Sequence, residues 1–156
     1  MKYPALTIRQ PFATLISLGY KTYEVRTWRP PFKPPFSFMV HAGATPLQTI
    51  RSYLSLMPEA AIFLAENGYA NPIDLPRSAF LGMAHIDEIN VWHFLHPDTQ
   101  HKEVGSNPFG GYGWHISRFI ETARITGIKG KLGFWLSPDV PDEIFFPPFR
   151  PMEIIP

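Results

Sequence analysis

The sequence contains no cysteine, which excludes disulfide bridges and metal sites built on thiolates. It also lacks a long apolar run. The first twelve residues, MKYPALTIRQPF, are interrupted by Pro4, Arg9 and Pro11, and no later segment approaches the roughly 18 apolar residues of a membrane span. Charged residues make up only 17% and the net charge is +1, so the overall charge does not decide for or against a nucleic-acid partner. These absences predict a cytoplasmic protein without membrane association.

Proline and phenylalanine are abundant instead, with 18 and 13 copies in 156 residues. The prolines cluster at 29–36 (RPPFKPPF) and 145–151 (FFPPFRP). Proline cannot occupy a helix interior or a central strand, so both clusters predict extended connections packed down by phenylalanine, with ligands of a proline-binding domain as the alternative. Hydrophobic residues make up 45%, and the length fits a single domain covering 1–156.

The charges are distributed unevenly along the chain. Residues 1–33 contain six lysines or arginines and a single acid, Glu24, whereas residues 139–156 contain four acids and a single arginine. A basic surface for an anionic partner and an ordinary solvated surface both fit this pattern.

Apolar periodicity predicts an α+β protein: a small β-barrel of about six strands with flanking helices. A brief helix should begin at Pro11 and end at Gly19, and two more should follow in a helical insert near 45–76, the first capped by Thr45 with Pro46 at the first helical position. The proline-rich tail covers 138–156. The strand segments are ALTIR, KTYEVRTW, FSFMVHA, AFLGMAHIDEINVW, YGWHI, ARITGI and KLGFWL.

The stretch GYKTYEVR, residues 19–26, is the most polar part of the first half of the chain. Strand alternation puts Thr22, Glu24 and Arg26 on one face, and Lys21 joins them only if the chain bends where the strand begins. A solvated strand face with paired charges is one interpretation. The other is a cleft in which lysine serves as a base and arginine binds phosphate or carboxylate.

Four blocks of the sequence resemble the ASCH domain family. Gly19, Lys21, Glu24 and Arg26 fill its GxKxxExR signature, and MVHAG, FLGMAHIDEI and the segment 112–136 are similar to later family blocks. The resemblance implies a PUA-like barrel with the motif lining a cleft. It also implies that RNA or a modified nucleoside is the partner, with hydrolysis of N4-acetylcytidine or of RNA as the alternative function.

Under that resemblance Lys21, Glu24 and Thr22 are the candidate catalytic residues. Arg26, Trp28, His41 and Lys129 are the candidate ligand-binding residues. Lys129 belongs to KGK at 129–131, a turn with two cations that either contacts phosphate or is an ordinary solvated turn. The chain departs from the acetylcytidine amidohydrolases at Glu24, where they have threonine as the candidate nucleophile.

Trp28, beside two arginines, is the expected exposed ring for stacking on a base, whereas Trp92 and Trp135 should fill the core. His93, His96 and His101 lie in an irregular loop without the register of a zinc site, so we expect no metal and no cofactor. A hydrogen-bonded core position is the alternative for His41. A protein-interaction module that presents the proline- and phenylalanine-rich segments is the third functional hypothesis.

Overall fold

A computed structural model describes residues 1–91 and 111–144. Six strands, β1 to β6, cover Pro4–Ile8, Tyr23–Arg26, Phe36–Ala42, Ala79–Val91, Tyr112–Thr126 and Phe134–Leu136. Three α-helices, α1 to α3, cover Phe12–Ser17, Leu47–Leu56 and Pro58–Glu66. The strands form one mixed sheet in the order β2-β5-β4-β3-β1-β6, in which β1 and β3 run parallel and the other neighbours run antiparallel. The α+β class is therefore confirmed.

The third strand runs through the middle of the molecule and is buried along its whole length. Alternate residues contribute to two different cores, as a strand covered on both faces requires. Phe36, Phe38 and Val40 join the larger core, which also contains residues of α1, β4 and β5. Met39 joins the second core on the opposite face, which is covered by Val140 and its neighbours.

The segment 112–126 is one strand of 15 residues rather than the two strands predicted from YGWHI and ARITGI. Its polar middle, around Ser117 and Arg118, is solvent-exposed but stays in the sheet because β5 pairs with β4 along most of its length. The pairing shifts register three times, which lets the long hairpin bend. Local polarity could not show this, because the pairing with β4 is a tertiary contact.

Thr45 does not cap α2, so that prediction is wrong. The cap position is Pro46, and no side chain caps the helix there. Thr45 is buried, and its hydroxyl accepts a hydrogen bond from the backbone N–H of Gln10 at 3.0 Å. Thr45 therefore ties the start of the insert to the start of α1. The two helices of the insert bury Ile50 and Leu64 against α1 in a third core.

The sheet is strongly curved but open, so the predicted closed barrel is not confirmed. The edge strands β2 and β6 do not pair with each other in the described ranges. The curvature nevertheless brings β6 over β5: the rings of Phe134 and Trp114 stack with centroids 5.8 Å apart, although three strands separate them in the sheet order. Among the helices that the structure describes, none combines the length and hydropathy needed to cross a bilayer.

A basic cavity at the open edge of the sheet

A cavity of about 410 Å³ lies where the edge of β2 faces β1 and the segment before β6. Its volume falls within the range of small-molecule binding sites, about 300–1,000 Å³. Its lining comes from β1 and the start of α1, from the GYKTYEVR stretch, from α2 and from the turn before β6. The lining residues are Thr7, Ile8, Arg9, Phe12, Lys21, Glu24, Val25, Arg26, Tyr53, Lys131, Leu132 and Gly133.

Lys21 reaches the cavity because the chain bends before β2 begins. The helix α1 ends in a tight turn in which the N–H groups of Tyr20 and Lys21 both bond to the carbonyl of Leu15, at 3.0 and 3.1 Å. Gly19 has φ +80° there, a conformation that glycine adopts at little cost. Strand alternation therefore does not apply to Lys21, and it lines the same cavity as Glu24. Both residues are buried, with 5% and 6% of their surface exposed.

Glu24 and Arg26, two residues apart on the same face of β2, form an ion pair. Arg26 Nε donates to Glu24 Oε1 at 2.9 Å, and Arg26 Nη2 donates to the carbonyl oxygen of Thr7 at 3.1 Å. The second bond joins β2 to β1 across the open edge of the sheet. The other carboxylate oxygen, Glu24 Oε2, is buried and has no hydrogen-bond partner within residues 1–91 and 111–144. Folding alone therefore leaves an acceptor of Glu24 unfilled beside the cavity.

The cavity is strongly basic. Arg9, Lys21, Arg26 and Lys131 contribute four positive charges, and Glu24 is the single acid among the lining residues. Arg9 is held at the rim by α2, because its Nη1 donates to the hydroxyl of Tyr53 at 3.1 Å. Such an arrangement favours a ligand that carries negative charge.

The other predicted site residues do not line the cavity. Thr22 is half-buried, and its carbonyl accepts a hydrogen bond from Ile116 N at 2.8 Å. Lys129 is exposed on the turn before β6. Trp28 is half-buried rather than exposed, with its ring 5.3 Å from that of Trp114. The two rings meet edge to face, so the expectation of an exposed Trp28 is wrong.

His41 is fully buried and serves the cavity indirectly. Its Nε2 donates to the carbonyl of Ile128 at 2.7 Å, so Nδ1 is the acceptor and receives the hydroxyl proton of Thr7 at 3.1 Å. Burial lowers the pKa of His41, and the bond to the Ile128 carbonyl only partly opposes that shift. The neutral ring thus joins Thr7, a lining residue, to the turn before β6. This is the core position that the sequence left open as the alternative.

Of the twelve lining residues the sequence-based prediction named three, Lys21, Glu24 and Arg26; the nine that it missed include Arg9, Tyr53, Lys131 and Leu132. Arg9 belongs to the basic N-terminal segment, and Lys131 belongs to the KGK turn, so both had a weak signal. Tyr53 and Leu132 had none, because each reaches the cavity through the packing of a distant segment.

Three residues singled out from the sequence, His93, His96 and His101, lie outside the described residues, as do Trp92 and the proline-rich segment 145–151. Within the described part of the chain, no group of three or more histidines and acids is placed to hold a metal ion. The described connection at 29–36 is packed down by phenylalanine as predicted: the ring of Phe32 lies 5.1 Å from that of Phe134.

The family model of the ASCH domain matches residues 6–103, which is more than half of the chain and includes the whole GxKxxExR signature. The chain belongs to the ASCH domain family. The resemblance to the family is thereby confirmed; three of the four sequence blocks lie within the match, and the block at 112–136 lies beyond it. The match contains most of the cavity of this ASCH chain, but Lys131, Leu132 and Gly133 lie beyond its end.

Similar solved structures include ASCH proteins from Zymomonas mobilis. One crystal structure of the ASCH protein is 15% identical to this chain, with a TM-score of 0.45, and the match covers 96% of this chain and 89% of that chain. A serine-to-alanine mutant is 13% identical with a TM-score of 0.49, covering 86% and 87% respectively. A tyrosine-to-phenylalanine mutant is also 13% identical, with a TM-score of 0.48 and coverage of 86% and 89%. No curated protein matches this ASCH chain.

Proposed function

We propose that this protein binds single-stranded RNA or a nucleotide-like ligand in the basic cavity. The observation that carries the proposal is the combination of four cationic side chains with one buried carboxylate that has a free acceptor oxygen. The ASCH family is associated with RNA in general, which supports the same conclusion.

The two kinds of charge suit the two ends of a nucleotide. Arg9 and Lys131 are exposed at the rim and can bind phosphate oxygens. Glu24 Oε2 lies deeper and can accept a hydrogen bond from an N–H group of a base, as carboxylates do with amino groups on base edges. Lys21 is buried beside it and adds positive charge within the cavity. The net charge of +1 disfavours tight duplex binding, which requires many phosphate contacts.

The test is a binding titration with a fluorescein-labelled single-stranded RNA about eight nucleotides long. We expect Lys21→Ala with Arg26→Ala to reduce the affinity about 100-fold, since two of the four positive charges that line the cavity are lost. Lys131→Ala is a second variant that changes an exposed residue and leaves the core intact. Lys129→Ala is the matched control, because that lysine lies in the same turn outside the cavity. Affinity that is unchanged in the double variant would rule out this site.

Hydrolysis is the second candidate function, because Lys21 and Glu24 are both buried and line one cavity. Glu24 Oε2 would accept a proton from a water molecule, which attacks the acetyl carbon of N4-acetylcytidine. Protonated Glu24 would give that proton to N4 as the bond between the acetyl carbon and N4 breaks, which releases cytidine and acetic acid, and the acid ionises to acetate in water. Lys21 would stabilise the negative charge on the acetyl oxygen. Thr22, the third candidate catalytic residue, does not line the cavity, so the reaction rests on Lys21 and Glu24.

The second test incubates the protein with N4-acetylcytidine and, separately, with single-stranded RNA, and identifies products by chromatography and mass. Cytidine release that disappears in Glu24→Gln would establish the amidohydrolase, since general acid-base catalysis typically contributes about 100- to 10,000-fold. Shortened RNA fragments that disappear in the same variant would establish a ribonuclease. Intact substrates at high protein concentration would leave binding as the function.

A further inference from the structure

We propose that the turn at 128–133 is a second ligand-contact element, in which Leu132 packs against a base of the bound nucleic acid while Lys131 contacts its phosphate. The inference rests on the proposed RNA-binding function and assigns a specific role to a segment beyond the ASCH family match. Both residues line the cavity, next to the glycine that precedes β6.

The rear of this turn is fixed to the body of the protein. The N–H of Ile128 donates to the carbonyl of Ser78 at 2.9 Å, and the carbonyl of Ile128 accepts from His41 Nε2 at 2.7 Å. Gly130 lies directly against β1: a Cβ atom placed there would be 2.6 Å from Thr7 Oγ1 and 3.1 Å from His41 Cε1. Only glycine fits this contact without displacing its neighbours, so the start of the turn has a defined position.

The front of the turn, in contrast, is presented to solvent. Leu132 is 100% exposed, the highest value among the large apolar side chains in the described ranges. Seven such side chains are exposed there, and Leu132 is the one among them that lines the cavity. In this position the leucine side chain does not contribute to the core. A flat base that packed against it would remove its apolar surface from water, which is favourable.

The charges around Leu132 indicate which kind of ligand would cover it. Lys131 precedes it directly, and Arg9 lines the same cavity. A protein or lipid surface with mainly apolar character would leave these cations unpaired. A single-stranded nucleic acid supplies a base for the leucine and a phosphate for the lysine within one nucleotide, which fits the alternation of the two side chains.

The experiment compares two fluorescein-labelled probes: an oligocytidine of about eight nucleotides and a ribose-phosphate oligomer of equal length without bases. We expect Leu132→Ala to weaken binding of oligocytidine about 10-fold, because the apolar contact is lost, and to leave the abasic probe unaffected. Leu136→Ala is the matched control, since Leu136 is also exposed, at 60%, but lies outside the cavity; it should bind both probes like the unmodified protein.

Lys131→Ala and Gly130→Ala complete the experiment. Lys131→Ala should weaken both probes equally, because both carry phosphate. Gly130→Ala should also weaken both, because the added methyl group forces the turn away from Thr7. Binding of both probes by Gly130→Ala at full affinity would overturn the positioning of the turn.

The remaining outcomes separate this inference from the proposed function. If Leu132→Ala binds oligocytidine at full affinity while Lys21→Ala does not, the inference is wrong and the proposed function stands. Equal weakening of both probes by Leu132→Ala would also overturn it, because the effect would not depend on a base. If the unmodified protein binds neither probe, the proposed function fails and the inference fails with it.

Discussion

The interior of the curved sheet contains two adjoining regions of opposite character. One is an aromatic cluster, whose rings lie 5.1 to 6.4 Å from their neighbours and which consists of Trp28, Phe32, Phe36, Phe38, Trp114 and Phe134. The other is the basic cavity. They share backbone: Glu24 pairs in register with Trp114, and Gly133 of the cavity precedes Phe134. The packed aromatic cluster therefore fixes the positions of β2, β5 and β6, and the charged residues of the cavity lie on or next to these strands.

The two regions also contribute differently to the stability of the fold. Rings in the cluster are buried against one another and contribute to folding. Charges in the cavity are partly desolvated, and folding alone leaves one oxygen of Glu24 unsatisfied, which costs free energy. Such a cost is typical of groups that are kept for binding or catalysis. Variants in the aromatic cluster should therefore change the free energy of unfolding, whereas variants of the exposed cations of the cavity should change the affinity for a ligand.

The largest expected effect is on stability and comes from the aromatic cluster. Trp114 is completely buried, so Trp114→Ala should lower the free energy of unfolding by about 3–5 kcal/mol, measured by urea denaturation. Trp114→Phe is the matched control and should cost less, because it keeps most of the ring and removes an indole N–H that has no partner among the described residues. A loss below 1 kcal/mol for the alanine variant, on the scale of an ordinary surface change of about 0.5 kcal/mol, would contradict the packing.

The second effect tests the energetic coupling between Glu24 and Arg26. Arg26→Ala should lower the free energy of unfolding by about 2–3 kcal/mol, because it leaves Glu24 buried without its cation and removes the bond to Thr7. The double variant Glu24→Gln with Arg26→Ala should lose less than the sum of the single changes. Additive losses in urea denaturation would show that the two side chains are not coupled.

The third effect concerns binding and leaves stability alone. Lys131→Ala should reduce RNA affinity about 5-fold at low salt and reduce the slope of log affinity against log salt by about 0.7, the value for one phosphate contact on a single strand. Lys129→Ala should change the affinity less than about 2-fold, since that lysine lies outside the cavity. Equal effects of the two lysines would show that the turn contributes only diffuse charge.

The smallest effect concerns His41, which joins Thr7 of the cavity to the turn before β6. Because burial lowers its pKa in the folded protein, the unfolded chain takes up a proton more readily below the ordinary pKa of about 6.5. The stability that neutral His41 contributes is thus complete above that pH and is lost as the pH falls from there toward the lowered folded pKa. The free energy of unfolding should decline between about pH 7 and 5 more steeply than in His41→Gln. Parallel pH profiles would contradict the assignment.

Several elements were predictable because they depend on local sequence. FSFMVHA is the strand Phe36–Ala42, and the helix that begins at Pro58 ends at Glu66, just before Asn67 and Gly68. The signature around Lys21, Glu24 and Arg26 identified the family and three lining residues. The cavity as a whole was not predictable, because Tyr53 and Leu132 are distant in sequence from the signature and neither carries a chemical pattern that marks a site.

The sequence by itself determined the type of most elements, the family and the charged motif, since periodicity, turn residues and the signature are properties of neighbouring positions. Only the tertiary structure decided that Lys21 and Glu24 share a cavity, that Trp28 is packed into the aromatic cluster, and that Lys131 lines the site while Lys129 does not. The physical reason is curvature. The bend of the sheet brings β1, β2 and the turn before β6 together, and it arises from contacts among strands that are far apart in sequence.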